Sequence, residues 1–510
     1  MAKFYITTPL YYVNASPHIG HAYTTVIADC TARWRRLKGE EVFFLTGSDE
    51  HGEKIKKAAE SSGKEVKVFV DEIVKNFENL WQRLNISYDR FIRTTDSYHQ
   101  AAVKKVIKTL AEKGDIYKAN YQAYHCIPCE SFWTPTQLAG KELCPDCGRG
   151  VSQIDEENYF FKLSKYESWL KDYLKNNPDS IMPKTRYNEV IGFLENNQLE
   201  DLCISRPKLR VSWGIDFPLD DKYVVYVWFD ALINYISGAG FASDEKKFKK
   251  FWPADIHFMA KDILRYHAVF WPIMLKALDL ELPRMVFAHG WWKFEGEKMS
   301  KSRGNIVNPL EVTDQFGVDA LRYFLLREIP VGLDGNFFYK PLISRINSDL
   351  ANDLGNLLYR VLNMSEKYFQ GKVISGTACF WPPVFEPFLK NGQLFKSYQE
   401  YMDSCQFSVA LEKLWVFIGV MNKYIEEQKP WVLFKENRLD ELEHFLWSLL
   451  EGIRIVAWLI FPVMPQTSEA ILRQLGRELK AESPNWSKGD FSIKKEAPLF
   501  PRIDLDQYVD

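Results

Sequence analysis

The sequence predicts an α/β fold built on a parallel sheet, interrupted by an inserted segment and followed by an all-helical bundle. Three observations carry that reading. Short apolar runs alternate with helically spaced ones through residues 4–114. Two Cys-x-x-Cys pairs then sit where the alternation lapses. Past about residue 340 strand patterns nearly vanish and amphipathic helical spacing takes over. At 510 residues the chain is too long for one core, and two to four domains are expected.

The first element is the β-prone run Phe4-Tyr5-Ile6-Thr7. Val26, Cys30, Trp34 and Leu37 follow at helical spacing up to Gly39, so a strand delivers the chain to a helix N-terminus. The corner between them reads Thr7-Thr8-Pro9-Leu10-Tyr11-Tyr12-Val13-Asn14-Ala15-Ser16-Pro17-His18-Ile19-Gly20-His21. Two imidazoles three residues apart, with Gly20 letting the backbone come close, lie where helix-end N–H groups and a positive dipole favour an anion. A phosphate fits there, although ordinary surface or core histidines would show the same spacing. Val42-Phe43-Phe44-Leu45-Thr46 is a second buried strand, ending in Gly47-Ser48-Asp49-Glu50-His51-Gly52. The stripe Val66, Phe69, Val70, Ile73, Phe77, Leu80, Trp81, Leu84 belongs to a helix that packs on the sheet. Both the His18–His21 corner and Asp49 fall at strand carboxyl ends, where parallel sheets bind ligands.

From about residue 115 short aromatic strand-like pieces, such as Asn158-Tyr159-Phe160-Phe161-Lys162-Leu163, surround Cys126, Cys129, Cys144 and Cys147. Two such turns facing each other supply four thiolates for a closed tetrahedral zinc site, with no open position for catalysis. Two local disulfides or a redox dithiol are the alternatives. The α/β pattern is expected to resume at Tyr223-Val224-Val225-Tyr226-Val227-Trp228-Phe229-Asp230-Ala231 and to continue through Ile256-His257-Phe258-Met259-Ala260-Lys261-Asp262. After the strand-like Met285–His289 comes Gly296-Glu297-Lys298-Met299-Ser300-Lys301-Ser302-Arg303-Gly304-Asn305. Gly and Ser around two lysines have the composition of a mobile loop that carries charge to a polyphosphate, or of a plain basic loop. Leu350, Leu354, Leu357, Leu358, Val361 and Leu362 open the helical region, and 476–510 reads as a tail over the surface. The expected divisions are 1–114, 115–222, 223–290, 291–340, 341–475 and 476–510.

A net charge of −2 excludes a globally basic coat but not a local groove for RNA. Hydrophobic residues at 46% and charged residues at 26% are ordinary for a soluble protein. No secretory leader or membrane span is evident, and Cys30, Cys203, Cys379 and Cys405 are dispersed, unlike a secreted disulfide framework. A cytoplasmic protein with no membrane association is expected.

Taken together, His18-Ile19-Gly20-His21 and Lys298-Met299-Ser300-Lys301-Ser302 resemble the two signature motifs of class I aminoacyl-tRNA synthetases, and the flanking residues resemble the methionyl-tRNA synthetase family through about residue 475. The resemblance implies a Rossmann-like catalytic domain split by a zinc-binding insertion, then a helical anticodon-binding domain. It implies ligase chemistry: L-methionine and ATP give methionyl-adenylate and pyrophosphate, with Mg²⁺ on the phosphates, and methionine passes to the terminal adenosine of tRNA(Met), including the initiator. By the same match His18, Gly20, His21, Asp262, Trp292, Lys298 and Lys301 bind ATP, and His18, His21, Lys298 and Lys301 serve catalysis. Asp49 receives the ammonium group, although Asp49 could instead cap the following helix. Leu10, Tyr12, Trp228, Ala231, Tyr235, Ile263 and His267 form the side-chain pocket, a set that would otherwise pass as core. Asn356, Arg360 and Trp431 read the anticodon, where spacing alone would give a solvated face and a packed Trp.

Two departures bear on this. Ala260 stands where the family has Gly, which puts a close backbone contact with ATP in question. The insertion, at about 110 residues, is too short for the hydrolytic editing domain of the leucyl, isoleucyl and valyl enzymes. The pocket is expected to exclude homocysteine imperfectly, and the resemblance implies that the misactivated product is cyclised within the synthetic site. The chain lacks the C-terminal domain by which some members dimerise, so a monomer is expected. Competing readings are another class I synthetase such as the cysteinyl enzyme, an RNA-independent adenylyltransferase of the same fold, and an inactive RNA-binding paralogue.

Overall fold

The strands and helices at the start of the chain follow the apolar spacing closely. In a computed structural model, which describes residues 2–505 apart from 128, 134, 139, 146, 295–296, 299–306, 376–380, 480–485 and 487–488, with backbone alone for 121, 136, 137, 294, 297 and 298, β1 spans Lys3–Tyr12 and β2 Glu41–Asp49. Helix α1 (Ile19–Leu37) joins them; α2 (Glu53–Ser61) and α3 (Val66–Arg83) lead to β3 (Arg90–Arg93), and α4 (Ser97–Glu112) follows. Of the expected catalytic residues, Lys301 lies outside the described residues and Lys298 is described by its backbone only.

Three later strands complete the sheet: β4 (Ile181–Met182), β5 (Ile256–Ala260) and β6 (Val286–His289). All six are parallel, in the order β3-β2-β1-β5-β6-β4. The chain moves outward from β1 through β2 to β3, then crosses to β4 at the opposite edge and comes back to β5 beside β1. The crevice at the carboxyl ends of β1 and β5 is therefore the switch point where such sheets take ligands. Pro9 has no N–H for the ladder, and the β1–β2 register shifts between Thr7 and Leu10. Beyond that shift Tyr12 sits directly beside Asp49. One buried cluster fills the α1 and α3 face and runs on into the C-terminal helices, and a second covers the opposite face around Trp271.

The insertion is a four-stranded antiparallel sheet of Ser131–Trp133, Ile116–Cys126, Ser152–Phe161 and Leu202–Cys203. Residues 164–199, expected to belong to it, go elsewhere. They supply β4 to the main sheet, while Leu170, Leu174, Val190 and Leu194 join the Trp271 core. Tyr223–Ala231 is a second correction. Tyr223–Val225 pairs antiparallel with Ser205–Pro207 outside the main sheet, and Val227–Leu232 is helix. A short continuous apolar run fits a buried strand and a buried helix equally, so its spacing could not decide.

After β6, Trp292–Phe294 forms the middle of a small sheet, antiparallel to Glu297–Lys298 and parallel to Gly335–Phe337. The helical region then includes Ile346–Gly355, wound as π-helix, and Asn356–Phe369, Phe407–Gln428, Pro430–Lys435 and Leu439–Ile460. The tail returns across it: Phe491–Ser492 pairs with Lys372–Val373, and Asn347 donates to the Ile503 carbonyl at 2.8 Å.

Arg322, fully buried, joins the halves. Its guanidinium donates to Asp29 in α1 at 2.6 Å and to the carbonyls of Leu84, Pro462 and Val463. Burial pushes the Asp29 carboxyl up, but Arg322, Arg33 and Ser87 outweigh it and hold its pKa below the ordinary carboxylate value. No helix among the described residues is long and apolar enough to cross a membrane.

Candidate active site

The first turn of α1 is closed by its own histidines. His18, in extended conformation at the N-cap, accepts the Gly20 N–H on Nδ1 at 3.1 Å, and His21 Nδ1 accepts the His18 N–H at 3.2 Å. This is a capping box built from imidazoles in place of Ser and Glu. Each Nδ1 that accepts a backbone N–H puts the ring proton on Nε2. The two rings stack at 3.8 Å. Burial, with the His18 ring beside it, keeps the His21 pKa well below that of an exposed imidazole. Both rings at this helix N-terminus thus present Nε2 into the site.

These histidines line a single cavity of about 970 Å³ at the switch point. Of the expected ligand residues, Leu10, Tyr12, His18, Gly20, His21, Asp49, Trp228, Ala231, Tyr235, Asp262, Ile263, His267 and Trp292 all face it. Asp49 is not a helix cap, since α2 is capped by Gly52. Its Oδ1 is buried with no hydrogen-bond partner, and burial, then Asp230 and Glu130, raise its carboxyl well above the ordinary range. A buried oxygen left in that state suits a cationic ligand.

The aromatic pocket has fixed tautomers. His267 Nδ1 donates to the Ile263 carbonyl at 2.9 Å, so Nε2 accepts the Tyr235 hydroxyl at 2.7 Å. Burial pushes the His267 pKa down to about 4. A π-helical turn, Tyr266–Phe270, presents His267 and sets Tyr266 flat on Trp228 at 3.8 Å. Tyr266 was not legible as a site residue, because an aromatic in an apolar helical run reads as core.

On the nucleotide side, Asp262 accepts from Trp291 Nε1 at 3.3 Å. Trp291, which the sequence did not single out, shares the cavity wall with Trp292, whose ring is also packed against Phe324 at 5.3 Å. Lys261 is no plain surface lysine. Its ammonium lies 2.7 Å from Asp334 and over the Trp291 ring. Ala260, in place of the family glycine, has φ −78° and ψ 152°, a conformation open to any residue.

Cys126, Cys129, Cys144 and Cys147 bring their sulfurs within 4.8 Å of one another, with Cys126–Cys147 at 3.6 Å and Cys129–Cys144 at 4.0 Å. A regular tetrahedron of ~2.3 Å Zn–S bonds has edges of about 3.8 Å, so the donor set fits zinc. No disulfide links them. Cys129 and Cys147 also border the cavity, which nothing in their spacing indicated.

In the helical region Asn356 is exposed and Arg360 pairs with Glu426 at 2.7 Å. Trp431 is 43% exposed, in a short helix whose Phe434 stacks on Tyr368 at 4.5 Å. A large indole left in water is a candidate surface for a planar partner.

The family model described as tRNA synthetases class I (M) matches residues 4–156 and 150–362, and that described as anticodon-binding domain of tRNA ligase matches 390–503. The chain is 49% identical over 514 residues to the methionine–tRNA ligase of Caldanaerobacter subterraneus subsp. tengcongensis, covering 99% of this chain and 79% of the relative. It is 44% identical to that of Thermotoga maritima, covering 99% and 81%. The methionyl-tRNA synthetase of Mycobacterium tuberculosis in complex with methionyl-adenylate superposes with a TM-score of 0.93 at 40% identity, over 98% of this chain and all of that one. Its apo form gives 0.86 at 38% identity, over 99% of each chain.

Proposed function

The chain belongs to the methionine–tRNA ligases among the class I aminoacyl-tRNA synthetases, and from that premise we propose how its residues share the two-step reaction. Methionine enters between Tyr12 and Trp228 with its ammonium on Asp49. The observation that carries this is the buried, unpartnered Asp49 oxygen at one end of the cavity, with the paired imidazoles in the same wall. The aromatic lining suits a polarizable thioether, and Ala231 leaves length for an unbranched chain.

ATP lies across the switch point, its ribose on Asp262, its base near Gly20 and Trp292, its phosphates against the Nε2–H groups of His18 and His21. The methionine carboxylate attacks the α-phosphorus in line and pyrophosphate leaves; a Mg²⁺ ion, when bound, neutralises phosphate charge. Positioning and fixed donors do most of the work, because the protein forms no covalent bond. Lys298 and Lys301 complete the phosphate site from the loop after Trp292–Phe294. The terminal adenosine of tRNA(Met) then takes the methionyl group from the mixed anhydride, while Asn356, Arg360 and Trp431 receive the anticodon. The four cysteines hold zinc in a structural role.

Pyrophosphate exchange with each amino acid in turn, without tRNA, followed by charging of total tRNA, tests the whole reading. Exchange specific for methionine is expected; exchange with another amino acid, or none, overturns it. Lys301→Ala is expected to lower activation a hundredfold or more with methionine affinity little changed, on the scale of a lost preorganised donor. Trp431→Ala is expected to abolish charging and leave exchange intact; equal loss of both would remove the anticodon assignment.

A further inference from the structure

Glu130, the residue after the second cysteine of the knuckle, belongs to none of the motifs, yet both aromatic walls of the methionine pocket are tethered beside it. It is 93% buried by its 7% exposure and holds φ at +51°, a region that residues with a Cβ seldom occupy. Its Oε1 accepts the Lys54 N–H of α2 at 2.8 Å and the Tyr12 hydroxyl at 3.3 Å. Its Oε2 lies 3.7 Å from His125 Nε2. The Glu130 carbonyl accepts the Tyr226 hydroxyl, and the adjacent Cys129 carbonyl accepts Trp228 Nε1 at 3.5 Å. A Cβ on Gly52 would meet the Tyr12 hydroxyl at 2.6 Å and Glu130 Oε1 at 3.0 Å, so the start of α2 is closed tightly over this bond.

We propose that Glu130 is a positioning residue for methionine, acting by hydrogen bond through Tyr12 rather than by its charge. The inference rests on placing the amino acid between Tyr12 and Trp228. Tyr12 ends β1 beside Asp49, so its ring forms a wall next to the ammonium site, and the ring stays there because its hydroxyl is anchored from the knuckle. Its Oε1, already fixed by the Lys54 N–H, is the acceptor placed for the phenol hydroxyl. Without that acceptor the phenol proton loses the partner that holds it, and the wall loses its fixed position.

Glutamine keeps the Oε1 acceptor and removes the charge; alanine removes both. Methionine Kd by equilibrium dialysis, the ATP KM in pyrophosphate exchange and zinc per chain are measured for wild type, Glu130→Gln, Glu130→Ala, Tyr12→Phe and the Tyr12→Phe, Glu130→Ala double variant. Glu130→Ala is expected to weaken methionine by roughly tenfold or more, with the ATP KM within twofold. Glu130→Gln stays within threefold of wild type, and Glu130→Ala adds less than threefold once Tyr12 is Phe. Glutamine as weak as alanine, additive effects in the double variant, or no effect of alanine overturns the proposal. Should the alanine variant lose zinc, Tyr12→Phe alone decides, with tenfold weaker methionine supporting the proposal and an unchanged Kd overturning it. Failure of the wild type to bind methionine would instead sink the pocket assignment.

Discussion

Asp49 and the buried histidines line one cavity and face opposite demands. The Asp49 carboxyl is raised by burial and by neighbouring carboxylates, so the folded chain holds its proton more tightly than the unfolded one, and ionising it costs stability as pH rises. An arriving ammonium relieves that cost. Asp49→Asn is therefore expected to weaken methionine at least tenfold, read by exchange kinetics, while leaving thermal stability equal or higher. His267 and His289 run the other way. Burial pushes both pKa values down to about 4, against ~6.5 when exposed. The unfolded imidazoles protonate first, so their contribution is whole above pH ~6.5 and is lost by about 1.4 kcal/mol per pH unit for each as pH falls towards 4. Urea unfolding at pH 7.5 and 5.5 should show this, and His289→Gln should shrink the difference by about 1.4 kcal/mol. Residues carried by a motif, such as His18, His21 and the four cysteines, were legible in the sequence. Tyr266, Trp291 and Glu130 were not, because what marks them is a stacking distance or a hydrogen bond to a distant element, and single-chain spacing holds no trace of either.

The opening turn of α1 does two jobs with the same side chains, capping the helix and presenting ring donors. Serine caps well but is too short to replace an imidazole at a phosphate. His18→Ser should keep stability within about 1 kcal/mol while adenylate formation falls by ~10²–10³, and a parallel loss of both would leave His18 a cap alone. The knuckle is similarly separable. Its own core among the described residues is only Cys126, Trp133, Leu138 and Cys144, with a few half-buried neighbours, so metal supplies most of its order. Chelation should speed hydrogen exchange in 126–150 and leave β1 and α1 protected. The β1, α1 and β2 elements were readable because two short apolar runs flank a long helically spaced stretch that ends at Gly39. Tyr223–Ala231, where the α/β pattern was expected to resume, lies outside the main sheet, and 164–199 was assigned to the insertion, because short apolar runs say that a segment is buried but not what it is buried against.

At the scale of the molecule one buried ion pair spans the junction. Arg322 and Asp29 are both fully buried, and the guanidinium also gathers three carbonyls from two further segments. Arg322→Met should cost about 3–5 kcal/mol by leaving Asp29 without its main cation, read as a fall in the unfolding midpoint of the whole chain rather than of one half. The order of the domains was visible in the switch from alternating to purely helical spacing, but no pattern announced this junction, since an arginine in a helical stripe ordinarily faces water.

Helix α1 runs from the imidazole corner to that junction. Its 19 residues, at ~1.5 Å each, make a bar of roughly 28 Å. Fourteen of its side chains are buried along the way, and at its far end Trp34 and the C-cap Lys38 are fastened to Asp403 of the helical region at 2.8 and 3.0 Å. A bar gripped so completely has no slack in which to lose a push. A rotation of the helical half would therefore be carried along this helix to the imidazole corner.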